Sequence, residues 1–350
     1  MATRADVARA AGVSPSTVSY VISGDRPVSE ATRRRVEDAI QRLCYVPNAK
    51  AGNLAARRLR TISVHVDIEQ SGIDTIAVEY VKGMIDRARE LGLTLIVPAT
   101  AGRNPDEFRR FLRSRLVDGV IYMDVVSGDW RESVLLEENY PAVALGYSGV
   151  IGGVPYVESD FAAMGELAVR RCMEYGHRRA VVISRDEQRA DLRRTVGITR
   201  DAIVSCARAA HMHITVLVLP AHPHSAAAIL PALTAAEQAL QQEMEGRATV
   251  VIADNIPAAV GLVDVARQRG IELARDYSMV SVAGQAVYDV ERHCALSEVG
   301  TDRLSMGRSC VDSIVQVYTV GVEQRSSVPN VMASPIFIDR GTLVHPSICI

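Results

Sequence analysis

Two short helices joined by a tight turn are written into residues 3–23, and they fix what the amino-terminal part of the chain can become. Thr3 stands three residues ahead of Asp6, the spacing of a capping box, so a helix starts there, and Gly12 supplies the left-handed residue that stops it. Ser14 followed by Pro15 opens a second helix, the serine capping and the proline sitting at the first helical position, where its missing N–H costs nothing. Val7, Ala8 and Ala11 on the first helix and Val18, Val21 and Ile22 on the second are spaced to face each other across the turn at Gly12 and Val13. Ser16, Thr17, Ser19, Tyr20 and Ser23 are left on the outward side. A slim, hydrogen-bonding helix face of this kind is what a DNA major groove admits.

Charge separates this head from the rest of the chain. Residues 1–60 hold 11 Lys/Arg against 5 Asp/Glu, and the remainder holds 28 against 36, out of chain totals of 39 and 41. A basic head on an acidic body implies a polyanion partner for the head. A third helix is predicted from Ser29-Glu-Ala-Thr32, with Val36, Ala39, Ile40 and Leu43 as one apolar stripe and Arg33, Arg34 and Arg35 toward solvent. Cys44-Tyr45-Val46-Pro47-Asn48 ends it, and residues 49–58 read as a weak helix.

From residue 61 the pattern changes. Short Val/Ile runs at 61–66, 93–97, 119–123 and 142–145 read as strands, with helical stretches at 75–91, 105–115 and 130–139 between them. The alternation restarts with helices at 160–175, 194–210, 226–244 and 258–269 and strands at 180–184, 214–219, 249–253 and 278–283. Strand–helix alternation implies α/β architecture, parallel sheets covered by helices on both faces. Nearly 300 residues exceed one core, so two lobes are expected.

Several classes of chemistry lack their residues. Cys44, Cys172, Cys206, Cys294, Cys310 and Cys349 are scattered without C-x-x-C spacing and read as reduced thiols. His211 and His213 precede a strand, and His222 and His224 flank Pro223 in a loop, so no metal and no cofactor is expected. Catalytic residues are expected to be none, since no phosphate loop, H-E-x-x-H or G-x-S-x-G motif occurs. No run approaches the ~18 apolar residues of a membrane span.

Further motifs recur at fixed places: Asp6-Val-Ala-Arg-Ala-Ala-Gly-Val13, Ser16-Thr-Val-Ser19, Val28-Ser-Glu-Ala-Thr-Arg-Arg-Arg-Val36 and Tyr45-Val-Pro-Asn-Ala49 with Leu54 in the head, then Val117-Asp-Gly-Val-Ile121, Ser159-Asp160, Glu174-Tyr-Gly-His-Arg-Arg179, Arg194 with Gly197, Arg303-Leu-Ser-Met-Gly307 and Ile338-Asp-Arg-Gly-Thr342. In this combination the chain resembles the LacI family of bacterial transcriptional regulators, almost end to end. The resemblance implies an all-α three-helix DNA-binding head at residues 1–46, a hinge helix at 47–58 and a periplasmic-binding-protein-like α/β core at 59–350. The core's first lobe is expected at about 59–157 plus 286–317, and its second at about 158–285 plus 318–345.

The resemblance also implies roles. Pro15, Ser16 and Tyr20 occupy positions the family uses to read base edges, while Ser14, Thr17, Ser19 and Asn48 suit phosphate oxygens, with Ser23 and Ala51 completing the DNA-facing set. Where Tyr20 stands the family often has Arg, and a phenol cannot make the two-pronged contact to guanine. Leu54 matches the leucine that wedges into the minor groove, and Gly52 and Asn53 weaken its helix, so the hinge is expected to fold only on DNA. Asp160 and Arg194 match cleft positions for a small effector, a sugar or related metabolite, and Asp254 stands where the family usually carries Asn. Two segments depart from the family pattern, Ser71-Gly-Ile-Asp74 in place of an aromatic stretch and Ala283-Gly284-Gln285 in place of an Asp pair, which leaves Ser71 and Gln285 as candidates there.

The partners implied are a pseudo-palindromic operator duplex, the effector and a second copy of the chain, or a higher homo-oligomer, joined through the helices at 75–91 and 306–317. The chain is expected to be cytoplasmic, with no membrane partner. The competing class is a solute-binding protein without a regulatory role, and an amino terminus read as a DNA-binding module in place of a secretory signal argues against it. An enzyme would need a nucleophile–base pair or metal cluster, and neither is present in the sequence pattern.

Overall fold

A computed structural model describes residues 2–23, 26–43, 45, 59–66, 75–98, 104–185, 193–219, 226–241, 247–254, 256–282 and 295–346. The chain separates into compact units Met1–Arg58 and Leu59–Ile350. In the first, α1 (Arg4–Ala11) begins at the capping box: Thr3 Oγ1 accepts from the Asp6 amide at 3.3 Å and Asp6 Oδ2 accepts from the Thr3 amide at 2.9 Å. Gly12, at φ +64°, ends it. α2 (Pro15–Ser23) starts behind Ser14, whose Oγ accepts from the Thr17 amide at 3.1 Å. α3 (Glu30–Arg42) starts behind Ser29 in the same way.

Val7, Ala8, Ala11, Val18, Val21, Val36 and Ala39 make the core of the head, with Val13, Val28, Ile40 and Tyr45 packed against it. Ile22 and Leu43, predicted to join this core, are 40% and 36% exposed. Each stands at a helix end, Ile22 in the last turn of α2 and Leu43 as the residue that caps α3, where the apolar stripe runs past the core.

The second unit alternates as its sequence predicts through β1 (Thr61–His65), α4 (Thr75–Glu90), β2 (Thr94–Ile96), α5 (Pro105–Arg113), β3 (Gly119–Tyr122), α6 (Trp130–Glu137) and β4 (Ala142–Leu145), and then adds β5 (Tyr156–Ser159), a strand not read from the sequence. There follow α7 (Phe161–Glu174), β6 (Arg179–Arg185), α8 (Arg193–Ala209), β7 (His213–Leu219), α9 (Ala226–Gln241), β8 (Val250–Ala253), α10 (Ile256–Gln268), β9 (Ser278–Val282) and β10 (Ser297–Gly300). The end of the chain adds α11 (Arg303–Val320), a 3-10 turn at Val322–Ser327, β11 (Val331–Ala333) and β12 (Ile336–Ile338).

Two six-stranded sheets result, ordered β11-β5-β4-β3-β1-β2 and β12-β10-β9-β8-β6-β7. The first is parallel throughout, whereas in the second the edge strand β12 runs antiparallel to β10, pairing Val299 with Phe337. Side-chain alternation sends successive residues of each strand to opposite faces. Ile121 of β3 joins the cluster with Ile62, Met84 and Ile314, while Val120 and Tyr122 join Phe108 and Leu135 on the other side. In the second sheet Val181 and Ile183 face one core, and Ala180 and Val182 the other. Both faces are buried, which is why these strands read as unbroken apolar runs.

The chain crosses between lobes three times, after Ser159, after Gly300 and after Ala333. The expected lobe boundaries late in the chain are corrected by the pairing. β10 lies inside the 286–317 segment assigned to the first lobe but pairs with β9 in the second sheet, and β11 lies inside the 318–345 segment assigned to the second lobe but pairs with β5 in the first. Neither strand advertises itself: β10 reads Ser-Glu-Val-Gly, and β11 has three residues.

α4 and α11 approach so closely that two glycines are required. A Cβ on Gly307 would lie 2.1 Å from the Tyr80 carbonyl oxygen, and one on Gly83 2.1 Å from that of Leu304. Gly307→Ala gains a little helix propensity but drives a methyl into backbone. The clash should win, costing about 1–3 kcal/mol, read as a lowered melting temperature of the core.

In the second lobe His177 is fully buried, with Nδ1 2.8 Å from Thr249 Oγ1. Burial pushes its imidazole from the ordinary 6.5 down to about 4, with the charges of His345 and Arg178 acting in the same direction. The unfolded chain therefore takes up a proton on acidification before the folded one does. This contribution to stability is complete above about pH 6.5 and is lost as pH falls toward 4, by up to about 3 kcal/mol. Melting temperature against pH should show that slope in the wild type and a flatter one in His177→Gln.

Candidate nucleic-acid interface and interlobe pocket

The outward face of α2 is built from its cap. Ser14, Pro15 and Ser16 are exposed, and Thr17, Ser19 and Tyr20 are half-buried. Ser14 Oγ, already holding the Thr17 amide, lies 2.9 Å from Thr17 Oγ1, so both hydroxyls are engaged with each other. Ser19 Oγ donates to the Pro15 carbonyl at 3.1 Å and accepts from Arg4 Nη1 at 3.0 Å. The Arg26 guanidinium carbon stands 5.1 Å from the centroid of the Tyr20 ring. Two arginines thus meet this helix face that sequence reasoning did not place there. Their signal was only the excess of basic residues, because neither belongs to the helix whose face it joins.

Two other arginines of the head pair with acids of their own helices. Asp6 is held below the usual carboxylate range by hydrogen bonds from the Thr3 hydroxyl and amide, with Arg9 adding to them at 3.1 Å. Arg34 pairs with Glu30 at 3.2 Å on the exposed side of α3. Ser23 lies at the end of α2, with its side chain outside the described residues, as are Asn48, Ala51 and Leu54 entirely.

In the core, a cavity of about 210 Å³ opens at the carboxyl ends of β3, β4 and β5. Strand ends of a parallel sheet leave such a crevice because each chain turns away there into a helix. The first lobe contributes Tyr80, Asp124, Tyr147, Glu158 and Ser159, and the second lobe Phe161 and Thr195 from the first turns of α7 and α8. Glu158 is buried, and its Oε1 accepts from the Tyr147 amide at 3.1 Å. Tyr147 stacks on Tyr156, centroids 4.7 Å apart, which holds its ring at the pocket edge. Ser159 Oγ lies 3.1 Å from Thr301 Oγ1, tying together two of the crossing segments. Burial raises the Tyr80 phenol above its ordinary range. The described lining offers carboxylates, hydroxyls and aromatic faces.

The predicted cleft residues fall around this cavity unevenly. Asp160 sits between the lining residues Ser159 and Phe161, yet its Oδ1 caps α7 by accepting from the Ala163 amide at 2.9 Å. Asp254, at the end of β8, accepts from Ser184 Oγ at 2.7 Å and is not among the lining residues. Arg194 is in the first turn of α8, beside lining Thr195, with its side chain outside the described residues. Ser71 and Gln285 also lie outside them. Glu158, Tyr80 and Tyr147 were missed, although an acid inside the apolar run Val154-Pro-Tyr-Val-Glu158 was a legible signal. Among the described residues no three His, Cys, Asp or Glu side chains gather as a metal site, and no helix is long and apolar enough to cross a membrane.

Comparison with known proteins joins the two sites. Residues 3–48 match the model of the bacterial regulatory proteins of the lacI family, and residues 76–338 match that of the periplasmic binding proteins and sugar binding domain of the same family. The chain belongs to the LacI family. It is a DNA-binding transcriptional regulator with an effector-binding core, in a family that is not enzymatic. The HTH-type transcriptional repressor PurR of Vibrio atlanticus (strain LGP32) is 28% identical over 283 residues, covering 80% of this chain and 81% of that protein. The ribose operon repressor of Escherichia coli (strain K12) is 32% identical over 187 residues, 53% of this chain and 56% of the relative. A structure of the lac repressor dimer bound to operator and the anti-inducer ONPF shares the fold, with a TM-score of 0.76 and 20% identity over 98% of this chain and 99% of that one.

The cap on α7 gives Asp160 a structural duty that can be separated from any ligand contact. Asn caps as well as Asp does. Asp160→Asn should therefore leave the melting temperature nearly unchanged, while Asp160→Ala should cost about 1 kcal/mol in thermal denaturation.

Proposed function

We propose that the chain is a repressor that grips a pseudo-palindromic operator as a homodimer and responds to a small metabolite held between the lobes of its core. One observation carries this reading: a single chain combines an exposed, polar α2 on a basic head with a cavity whose walls come from two lobes. Pro15, Ser16 and Tyr20 face base edges, Ser14, Thr17 and Asn48 hold phosphates that set register, and Ser19 serves the phosphates through the Arg4 that it orders. Residues 47–58, with Ala51 and Leu54, fold as a hinge helix where two copies meet in the minor groove. A DNA partner of this kind places the protein in the cytoplasm.

The effector is a sugar or related polyol. Glu158 and Asp124 accept hydrogen bonds from hydroxyls, and Tyr147 offers an aromatic face. Arg194, next to the lining residue Thr195, is the second-lobe candidate for an effector contact, with Asp160, Asp254, Ser71 and Gln285 as further candidates by family resemblance. The relative named for a ribose operon supports this class. Dimerisation uses α4 and α11, which leave Val78, Ile85 and Leu304 between 40% and 50% exposed. Val78 and Ile85 are seven residues apart and so lie on one face of α4.

Selection from a randomised duplex pool by the full-length protein, followed by competition binding at several salt concentrations, tests this. A pseudo-palindrome should be enriched, with affinity falling steeply as salt rises. Binding with no salt-sensitive preference for any duplex would leave a solute-binding protein as the better description.

A further inference from the structure

We infer that Tyr20 acts in DNA recognition as a mount, and that the Arg26 guanidinium resting on its ring is the group that reads the base pair. The inference rests on the proposal that α2 enters the major groove.

Ser16 and Tyr20 are four residues apart and share one stripe of α2, and Pro15 and Ser19 share the next. Each stripe receives one guanidinium from outside the helix. Arg4, in the first turn of α1, donates to Ser19 Oγ at 3.0 Å, and Arg26, beyond the end of α2, stands over the Tyr20 ring at 5.1 Å. Both arginines are exposed.

Their partners set them apart from Arg9 and Arg34. Arg9 and Arg34 pair with Asp6 and Glu30, which neutralise them, whereas no carboxylate among the described residues pairs with Arg4 or Arg26. A hydroxyl and an aromatic face order a guanidinium without cancelling its charge. Contact with the ring also leaves the N–H groups at the guanidinium edge available. The two-pronged pattern of guanine O6 and N7 matches that edge, and one phenolic hydroxyl does not. Ser19 meanwhile has its hydroxyl committed to Pro15 and Arg4, so its stripe presents Arg4 to the backbone.

The test uses the full-length protein and the duplex it selects from a randomised pool, with affinities measured for that duplex and for each single base-pair change. Arg26→Gln and Tyr20→Leu should lose discrimination at the same symmetric guanine-containing pair, by roughly 10- to 100-fold. Tyr20→Phe keeps the ring and should hold the wild-type preference within about twofold. The double variant Tyr20→Leu with Arg26→Gln should be no worse than Arg26→Gln alone, because both act through one contact. Tyr20→Phe losing the preference as fully as Tyr20→Leu would assign reading to the phenol and overturn the inference. Arg26→Gln weakening all duplexes alike would overturn it too. Arg26 is exposed, so its variant tests the idea even if Tyr20→Leu unfolds the head. A wild-type chain that enriches no duplex overturns the regulator proposal and this inference with it, a result distinct from either of the others.

Discussion

The guanidinium of Arg303 fixes where the two lobes meet. It begins α11, just after the chain leaves β10, and bonds Glu298 of β10 at 2.5 Å and Glu79 of α4 at 3.0 Å. Arg340 approaches the other Glu298 oxygen at 3.4 Å. Glu298 is 1% exposed, so its charge is tolerable only while cations stand beside it, and removing one member of such a pair costs about 3–5 kcal/mol. The same pair explains a glycine: a Cβ on Gly300 would fall 2.7 Å from Glu298 Oε1. The crossing strand is thereby pinned to a helix of the first lobe and a strand of the second. Thr301, the next residue, meets Ser159 of the first crossing, and Ser159 faces the cavity.

From that anchored crossing the pocket follows by topology. Parallel strands must be joined through helices, so every strand of the first sheet ends at the same edge and turns away there. Asp124 at φ +54° and Gly146 at φ +118° make two of those turns, and both line the cavity. The opposite wall is made of helix beginnings, Phe161 and Thr195, because α7 and α8 follow a crossing and a strand end of the other lobe. A ligand touching Glu158 on one side and Thr195 on the other contacts two bodies joined by three segments. Such a ligand has different affinities for different lobe angles, and only that difference, commonly about 1–3 kcal/mol, can be transmitted.

The fold was legible wherever local chemistry and long-range packing agree. Thr3 with Asp6, Gly12, Ser14 with Pro15 and Ser29 mark helix ends by backbone hydrogen bonds that need no distant partner, and each is found at a helix boundary. Val/Ile runs such as Gly119–Tyr122 announce strands buried on both faces. β10 carries a buried glutamate because ion pairing pays for it across the lobe boundary, information no local window holds. The candidate sites divide in the same way. α2 could be read because its face is one helix, whereas the cavity gathers Tyr80, Tyr147, Glu158 and Thr195 from four separate stretches. Arg4 and Arg26 reach α2 from neighbouring segments, so helical spacing within α2 could not place them.

The charge distribution constrains how such a molecule meets a duplex. Residues 1–60 carry 11 basic against 5 acidic side chains and the remainder 28 against 36, so a polyphosphate surface attracts one part of the chain and repels the other. Screening over about 8 Å at physiological ionic strength confines this to the last approach, where it favours arrival head first. Phosphate attraction is blind to sequence, and the neutral cap at Ser14 and Thr17, in the phosphate-holding role proposed for it, would add register without discrimination. If α2 enters the major groove as proposed, selectivity comes from the few ordered, exposed groups on it and beside it. A face of serines alone would bind any duplex of the right shape, and under the inference drawn for Arg26 the guanidinium carried on an aromatic ring would give this face a preference to express.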